Sequence, residues 1–329
     1  MTPAVQQISK DLWRRWKPSG AVDAMFRLAL AAPLAVGLAA LSGIGHRVFD
    51  ILAQFTAPAL VAATVLSVLL ALTRLRIAAL HGLAACIVLL IAVAPQWFPS
   101  GPKPEAGAPV VRLYSANLWA RNTDVDSIRA SIGAADADIV VLIELGDAAA
   151  ERLDEVLAGY PHRVATPRID RPSGPARSVI ASRLPLSPIR DRPDGLHAVG
   201  ASVRTPIGPV HLLGVHLTRP WPFQEQWGQI EQTMAISAIR RDLTGPMVVA
   251  GDFNSISSAR IGRLLQRRTG LRPAKGFPGT WPSALPSAAT LTIDQVYASQ
   301  DLAFVSRRLG RPNGSDHRPV VTEITRAAR

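Results

Sequence analysis

Cysteine is almost absent from this 329-residue chain. Cys86 stands alone, so no intrachain disulfide is available and any exported part must be held by its own core. Internal repeats are absent as well, which sets aside repeat architectures. The most telling absence is of charge. No ionisable residue occurs from Leu28 to Gly45 or from Ile51 to Thr73, and from Ile77 to Gly101 only His81 and the Cys86 thiol interrupt. Each stretch meets the roughly 18–20 apolar residues needed to cross a bilayer. Three in succession, with charges only at their junctions, argue against the buried helices of a soluble protein. The expectation is a membrane domain over residues 1–98 with three transmembrane helices, at about 26–45, 51–73 and 77–97.

The charge that is present predicts an orientation. Lys10, Arg14, Arg15, Lys17 and Arg27 precede the first span and Arg74 and Arg76 separate the second from the third, whereas the other flanks hold only Arg47 and Lys103. This asymmetry predicts a multi-pass protein of the cell (inner) membrane with a cytoplasmic N-terminus and an extracytoplasmic remainder. A cleaved signal peptide is the alternative for the first span, since a basic start and small residues near Ser42-Gly43 fit loosely; the two further spans weigh against it. Val5 to Lys17, with Ile8, Leu12, Trp13 and Trp16 among basic residues, reads as an amphipathic helix at the cytoplasmic interface. Residues 99–108, rich in Pro, Gly and Ala, have the composition of a semi-rigid linker. Lys and Arg outnumber Asp and Glu by 9 to 4 in residues 1–108 and by 27 to 20 in residues 109–329. Almost all of this basic charge is arginine, which suits phosphate esters, nucleic acid or anionic lipid headgroups without choosing between them, and serves solubility equally well.

From Pro109 onward, short apolar runs broken by turns replace the long ones. The pattern predicts strands at Val110–Ala116, Ile139–Ile143, His162–Ala165, Ser178–Ala181, Leu186–Arg190, Ala198–Arg204, Val210–Leu217, Met247–Ala250, Thr292–Ala298, Ala303–Arg307 and Pro319–Ile324. Helices are expected at Val125–Ala134, Ala149–Leu157, Gln224–Arg241 and Ala259–Gln266. Many strands with few interspersed helices imply an α/β domain over 109–329, two sheets packed face to face with helices outside.

Polar residues close these runs one after another: Asn117, Glu144, His216, Asp252, Asn254, Asp294, Asp316 and His317. Any one of them has an ordinary explanation. Asp252 and Asn254 read as an Asx turn, and a lone Glu after five apolar residues is commonly a solvated strand end. Eight polar residues placed alike, four carboxylates and two imidazoles among them, are hard to explain as capping. Strand ends of a rigid sheet are where side chains can be aimed at a common point.

Four segments carry a family resemblance: Gly251-Asp252-Phe253-Asn254-Ser255, Ser315-Asp316-His317-Arg318-Pro319-Val320, Thr292-Ile293-Asp294-Gln295-Val296-Tyr297 and Ser182-Arg183-Leu184-Pro185-Leu186. On these, residues from about 110 to 325 resemble the endonuclease/exonuclease/phosphatase superfamily, to which deoxyribonuclease I, abasic-site endonucleases, inositol-polyphosphate 5-phosphatases and neutral sphingomyelinases belong. The resemblance implies a four-layered α/β sandwich with the active site at one end of the two sheets. It implies that Asn117 and Glu144, with Asp316 completing the shell, hold Mg²⁺ or Mn²⁺, metals that prefer oxygen donors. His317 with Asp294 resembles a base and its orienting carboxylate, Asp252 and Asn254 would position the attacking water, and His216 would donate to a non-bridging phosphoryl oxygen.

The departures bear on substrate. Pro175-Ala176-Arg177-Ser178-Val179 replaces the family's glycine-rich approach, so Arg177 is either an anion contact or a turn flank. Arg219 and Trp221, following His216, are further candidate substrate contacts, and Trp281 precedes Asp294; for the tryptophans, packing is the competing explanation. The extra acidic or tyrosine partner of some nuclease branches and their long DNA-gripping insertions have no clear counterpart. Three spans before such a domain resemble a membrane-anchored branch that includes VanJ-type teicoplanin-resistance proteins, which suggests a lipid-linked phosphate or pyrophosphate as substrate. A membrane-tethered nuclease is the alternative, and a sensor with a degenerate phosphatase fold is a third reading that the full set of eight polar residues opposes.

Overall fold

A computed structural model describes residues 20–73, 75–169, 176–189, 196–220 and 225–328; the Val5–Lys17 segment, Arg74 and Trp221 lie outside the described residues. Four apolar helices come first: α1 (Gly20–Leu41), α2 (Arg47–Gln54), α3 (Thr56–Leu72) and α4 (Arg76–Trp97). Helices α1 and α4 are each long and apolar enough to cross a membrane, whereas α2 and α3 meet that measure only as a pair, bent by 57°. A single helix over 51–73 was the expectation, and Pro58 accounts for the difference. Its ring crowds the carbonyl four residues back, that of Gln54, and it has no N–H to continue the ladder, so one helix stops and another starts. Within α3, Pro58 falls in the first turn, where the missing N–H costs little.

The bundle is closed by small residues. A Cβ on Gly82 would lie 2.1 Å from Ser67 Oγ, and one on Gly37 would lie 2.8 Å from Val88, so backbones approach where larger side chains would hold them apart. Leu60, Ala63, Ala85, Leu89 and Val93 fill the seam, while Leu28, Val65, Leu69, Leu80 and Ile91 leave apolar surface on the outside.

The second domain has two six-stranded sheets. The first contains β1 (Val111–Asn117), β2 (Ile139–Leu145), β3 (His162–Ala165), β4 (Arg177–Ser182), β11 (Leu302–Leu309) and β12 (Val320–Arg326), in the order β11-β12-β1-β2-β4-β3. The second contains β5 (Leu186–Pro188), β6 (Ala198–Thr205), β7 (Gly208–His216), β8 (Met247–Asp252), β9 (Arg272–Pro273) and β10 (Asp294–Ala298), in the order β5-β6-β7-β8-β10-β9. Helices α5 (Val125–Ala135), α6 (Asp147–Glu151) and α7 (Leu153–Val156) cover the first sheet, and α8 (Gln226–Asp242) and α9 (Arg260–Thr269) cover the second. The expected helix over 149–157 is two short pieces, α6 and α7, joined at Arg152.

Unbroken apolar runs such as Val140-Val141-Leu142-Ile143 follow from burial on both faces. Val141, Ile143, Leu212 and Val248 point between the sheets, while Val140, Leu142, Leu213 and Val249 point under the helices. The result is the four-layered sandwich that the resemblance implies. The stretch expected as a linker is tied to the domain's end: Glu105 N donates to Arg326 O at 2.9 Å, Ala328 N to Lys103 O at 2.8 Å, and the Glu105 and Arg326 side chains pair.

One glycine is required by the sheet that carries the site. Gly251, at φ +138°, precedes Asp252, and a Cβ there would lie 2.0 Å from the Val215 carbonyl oxygen on β7. Gly251→Ala is therefore expected to cost about 1–3 kcal/mol, read as a lowered Tm of the full chain in detergent; an unchanged Tm would show that the β7–β8 contact relaxes freely.

Candidate active site

Strand pairing places the candidate residues before any side chain is considered. In the second sheet His216 on β7 pairs with Asp252 on β8, and Asp252 pairs with Asp294 on β10, so three chemically active residues stand side by side on three strands. In the first sheet Asn117 on β1 pairs with Ile143 on β2, next to Glu144. Both parallel pairs run out at the same end of the sandwich, and the two sheets' polar strand ends face each other there.

The side chains form two connected groups. In one, Asn117 Nδ2 donates to Asp252 Oδ2 at 3.1 Å, His216 Nε2 lies 3.3 Å from Glu144 Oε1 and 3.6 Å from Asp252 Oδ2, and Asn254 Nδ2 lies 3.4 Å from His216 Nε2. In the other, His317 Nδ1 lies 2.8 Å from Asp294 Oδ2, and Trp281 Nε1 donates to Asp316 Oδ2 at 3.1 Å. The bridge between them is His317 Nε2, 3.9 Å from Asp252 Oδ2 and 4.0 Å from Asp316 Oδ1. Asn117, Asp252, Asp294 and His317 are buried, while Asp316 is exposed at the mouth.

The backbone is bent to make this possible. Among the described residues, four non-glycine residues have positive φ, and three of them, Trp119 (57°), Glu144 (52°) and Asn254 (46°), adjoin the site. Asparagine tolerates the left-handed region, but glutamate and tryptophan do not favour it, so the fold maintains local strain where side chains are aimed. Partners hold each turn. Asn254 N donates to Asp252 Oδ1 at 2.8 Å, Trp119 N to Asn117 Oδ1 at 2.9 Å, and Ala120 N to Glu144 Oε2 at 3.4 Å.

Residues outside the eight candidates complete the frame. Asn122 Nδ2 donates to Asn313 O, Ser315 N to Asn313 Oδ1, and His317 N to Ser315 Oγ, which shapes the loop before β12. Ser283 N donates to Asp316 O at 2.7 Å and fastens that loop to the one carrying Trp281. Asn and Ser in turns signal this only generically. Arg219 stacks on Trp281 at 5.4 Å, placing one expected substrate contact at the mouth. Arg177 instead pairs with Asp147, at 3.4 Å, beside Arg168. Trp221 lies outside the described residues.

Electrostatics separates the two buried groups. Burial, reinforced by Asp294 and Glu144, pushes the Asp252 carboxyl up to about 7 against the pull of His317. Burial alone would lower His317, but the charge and hydrogen bond of Asp294, with Asp252 and Asp316 adding to them, carry it up to about 10. At neutral pH His317 is therefore an imidazolium, and Asp252 is poised to take or give a proton. The carboxylates fit a divalent cation. Asp252, Asp294 and His317 bring one ligand atom each within 4.8 Å of the others, and while His317 stays protonated the oxygens alone can ligate; Asp294 Oδ1 is buried with no hydrogen-bond partner, and Glu144 adds a further carboxylate beside them.

The model of the Endonuclease/Exonuclease/phosphatase family matches residues 114–317. Among solved structures the chain is similar to an endonuclease/exonuclease/phosphatase from Beutenbergia cavernae DSM 12333, at 20% identity over 67% of this chain and 72% of that one, with a TM-score of 0.51. A Bacteroides vulgatus protein described in the same words gives 16% identity, 66% and 99% coverage and a TM-score of 0.54. A functionally unknown conserved protein from Enterococcus faecalis V583 gives 14%, 65% and 99%, and 0.52. No curated protein matches the sequence.

The raised pKa values set a direction for stability. A carboxyl that ionises near pH 7 in the fold and near 3.8 unfolded makes stability fall as pH rises through that window. His317, raised from 6.5 to about 10, contributes stability that is complete below 6.5 and lost as pH rises toward 10. With divalent metal chelated, Tm of the full chain should decline across both windows, and Asp252→Asn should flatten the lower one. A Tm that climbs between pH 4 and 7 would contradict the burial of an uncompensated carboxylate.

Proposed function

As the chain belongs to the endonuclease/exonuclease/phosphatase family, we propose that it is a membrane-anchored, divalent-metal-dependent phosphoesterase that hydrolyses a lipid-linked phosphate ester or pyrophosphate on the extracytoplasmic face. The observation that carries the reading is the His216–Asp252–Asp294 row with Asn254 and His317, set at the open ends of two sheets that rest on apolar helix ends. Asp252, poised near neutrality, takes the proton of the attacking water. Asn254, fixed by its bonds to Asp252 and to Leu217 O, orients that water. His317, expected as the base, is instead charged and held by Asp294, so it donates from Nε2 to the phosphoryl group as negative charge develops, and His216 donates from the other side.

The carboxylates of Glu144 and Asp316 with Asn117, joined by the unpaired Oδ1 of Asp294, form the oxygen-rich set that would hold Mg²⁺ or Mn²⁺. Such an ion supplies Lewis-acid polarisation of a phosphoryl oxygen when bound. The direction of the helices supports the placement: the C-terminal ends of α1 and α4 and the N-terminal end of the bent pair all touch the catalytic domain, leaving Arg27 and Arg76 toward the opposite side. A site tethered this close to a membrane meets lipid phosphates at high effective concentration. Arg219 and Trp281 at the mouth offer a cation and an amphipathic ring suited to a headgroup.

The purified full chain, assayed with Mg²⁺ against polyprenyl pyrophosphate, a phospholipid and plasmid DNA, is expected to release phosphate or headgroup from a lipid. Asp252→Ala and His317→Ala should each lower the rate by roughly 10²–10⁴-fold. Equal rates for wild type and both variants on every substrate would overturn the enzyme reading, and cleavage of DNA alone would replace the lipid substrate with nucleic acid. Reporter fusions after Pro102 should report an extracytoplasmic location; a cytoplasmic signal would reverse the topology.

A further inference from the structure

Helix α2 is short, follows the first span, and carries Arg47, Asp50 and Gln54 at spacings that share one face. In a membrane segment that face is the odd one. It turns neither to lipid nor to the other helices but to the catalytic domain, and there it makes a buried polar network. Asp50 Oδ1 accepts from the backbone N–H of Arg260 at 2.7 Å, and Asp50 Oδ2 accepts from Gln226 Nε2. Gln226 Oε1 in turn accepts from Arg260 Nη1 at 3.1 Å. Gln54 Oε1 accepts from the Ile256 N–H at 2.8 Å, while its Nε2 donates to Ser255 Oγ at 3.3 Å. Asp50, Gln54, Gln226, Ser255 and Ile256 are all buried.

Two features make this more than adhesion. Helix α9 begins after Ala259, which has no side-chain oxygen, so the helix lacks a cap of its own and Asp50 supplies one from the membrane segment. The segment so held, Ser255 to Arg260, continues directly from Asp252 and Asn254. On its other side Gln229 Nε2 donates to Phe253 O at 2.8 Å and to Asn254 O at 3.2 Å, and Gln295 Nε2 donates to Ser255 O. The loop carrying Asn254 in its left-handed turn is thus clamped between the catalytic domain and helix α2, and half of the clamp belongs to the membrane part.

We propose that Asp50 and Gln54 are positioning residues for the reaction, so that the active site is fully assembled only while helix α2 is docked beneath the loop that follows Asp252. The inference rests on the phosphoesterase reading given above. It makes the bent helix pair part of the catalytic architecture as well as an anchor, and gives a physical reason for the break at Pro58: a straight helix could not turn Asp50 and Gln54 toward the loop while continuing as α3.

The test uses the full chain in detergent with Mn²⁺ and bis(p-nitrophenyl) phosphate as a chromogenic diester, together with amide hydrogen exchange over residues 253–260. Asp50→Asn places an amide against the Gln226 amide, and Gln226→Glu places a carboxylate against Asp50, so each breaks the pair. The double substitution D50N/Q226E exchanges the two groups and restores every bond, including that from Arg260. Each single variant, and Gln54→Met, is expected to lower kcat about tenfold with KM within about twofold, and to speed exchange at 253–260. The double variant should regain kcat and protection, while Arg47→Ala, whose partner Glu225 is exposed, should change neither. Unchanged kcat per folded molecule in the single variants, or no recovery in the double, would overturn the proposal; Gln54→Met decides it if the Asp50 variants fail to fold. If the wild type hydrolyses the diester no faster than Asp252→Ala, the phosphoesterase reading is what fails, and unchanged exchange in Gln54→Met then overturns the positioning role independently.

Discussion

The register of three strands governs this site. Because β7 pairs in parallel with β8 and β8 antiparallel with β10, His216, Asp252 and Asp294 fall in one row across the end of a sheet. A slip of one residue in either pairing would turn a functional side chain to the opposite face. The buried faces of the same strands prevent that slip: Leu212 and Val248 must stay between the sheets and Leu213 and Val249 under the helices. Hydrophobic alternation in the middle of each strand therefore specifies chemistry at its end.

What the row creates is a carboxylate in a dry place. Burial of Asp252, with Asp294 and Glu144 as neighbouring carboxylates, outweighs the pull of His317 and the Asn254 N–H, which is why its proton is held to neutral pH. The same crowding keeps His317 charged. Such an arrangement costs stability and is typical of sites that are built for reactivity. The left-handed turns at Trp119, Glu144 and Asn254 belong to the same pattern of local strain, each tied down by a side chain or backbone partner.

The apolar helices meet the second domain through polar groups. Buried Asp50, Gln54 and Gln96 stand out among their apolar neighbours. Each meets the catalytic domain, Gln96 through its backbone carbonyl, which accepts from Gly276 N, and Trp97 adds an edge-on contact to Phe277. These contacts gather on the loops after β8 and before β10, the two that frame Asp252 and Asp294. The same few residues thereby join the apolar helices to the loops that carry the candidate site.

Much of this was legible in the chain itself. Apolar run length marked the N-terminal helices, short runs with turn residues marked the two sheets, and the polar residue closing each run marked the eight side chains that the structure brings to one end. These are local properties, carried by hydropathy and by spacing along the chain. Other features depend on residues far apart in sequence: the cap that Asp50 provides to α9, the pairing of Arg177 with Asp147, the frame of Asn122, Asn313 and Ser283, and the strapping of Lys103 to Glu105 along the chain's end. Even the break at Pro58, whose cause is local, acquires a use only from the loop packed against it. By itself the sequence determined which residues are apolar, which strand ends are polar and what chemistry those groups can do. Only the tertiary structure decided which of them meet, because burial and charge proximity, which set the proton affinities of Asp252 and His317, are properties of assembled neighbours and not of any one segment.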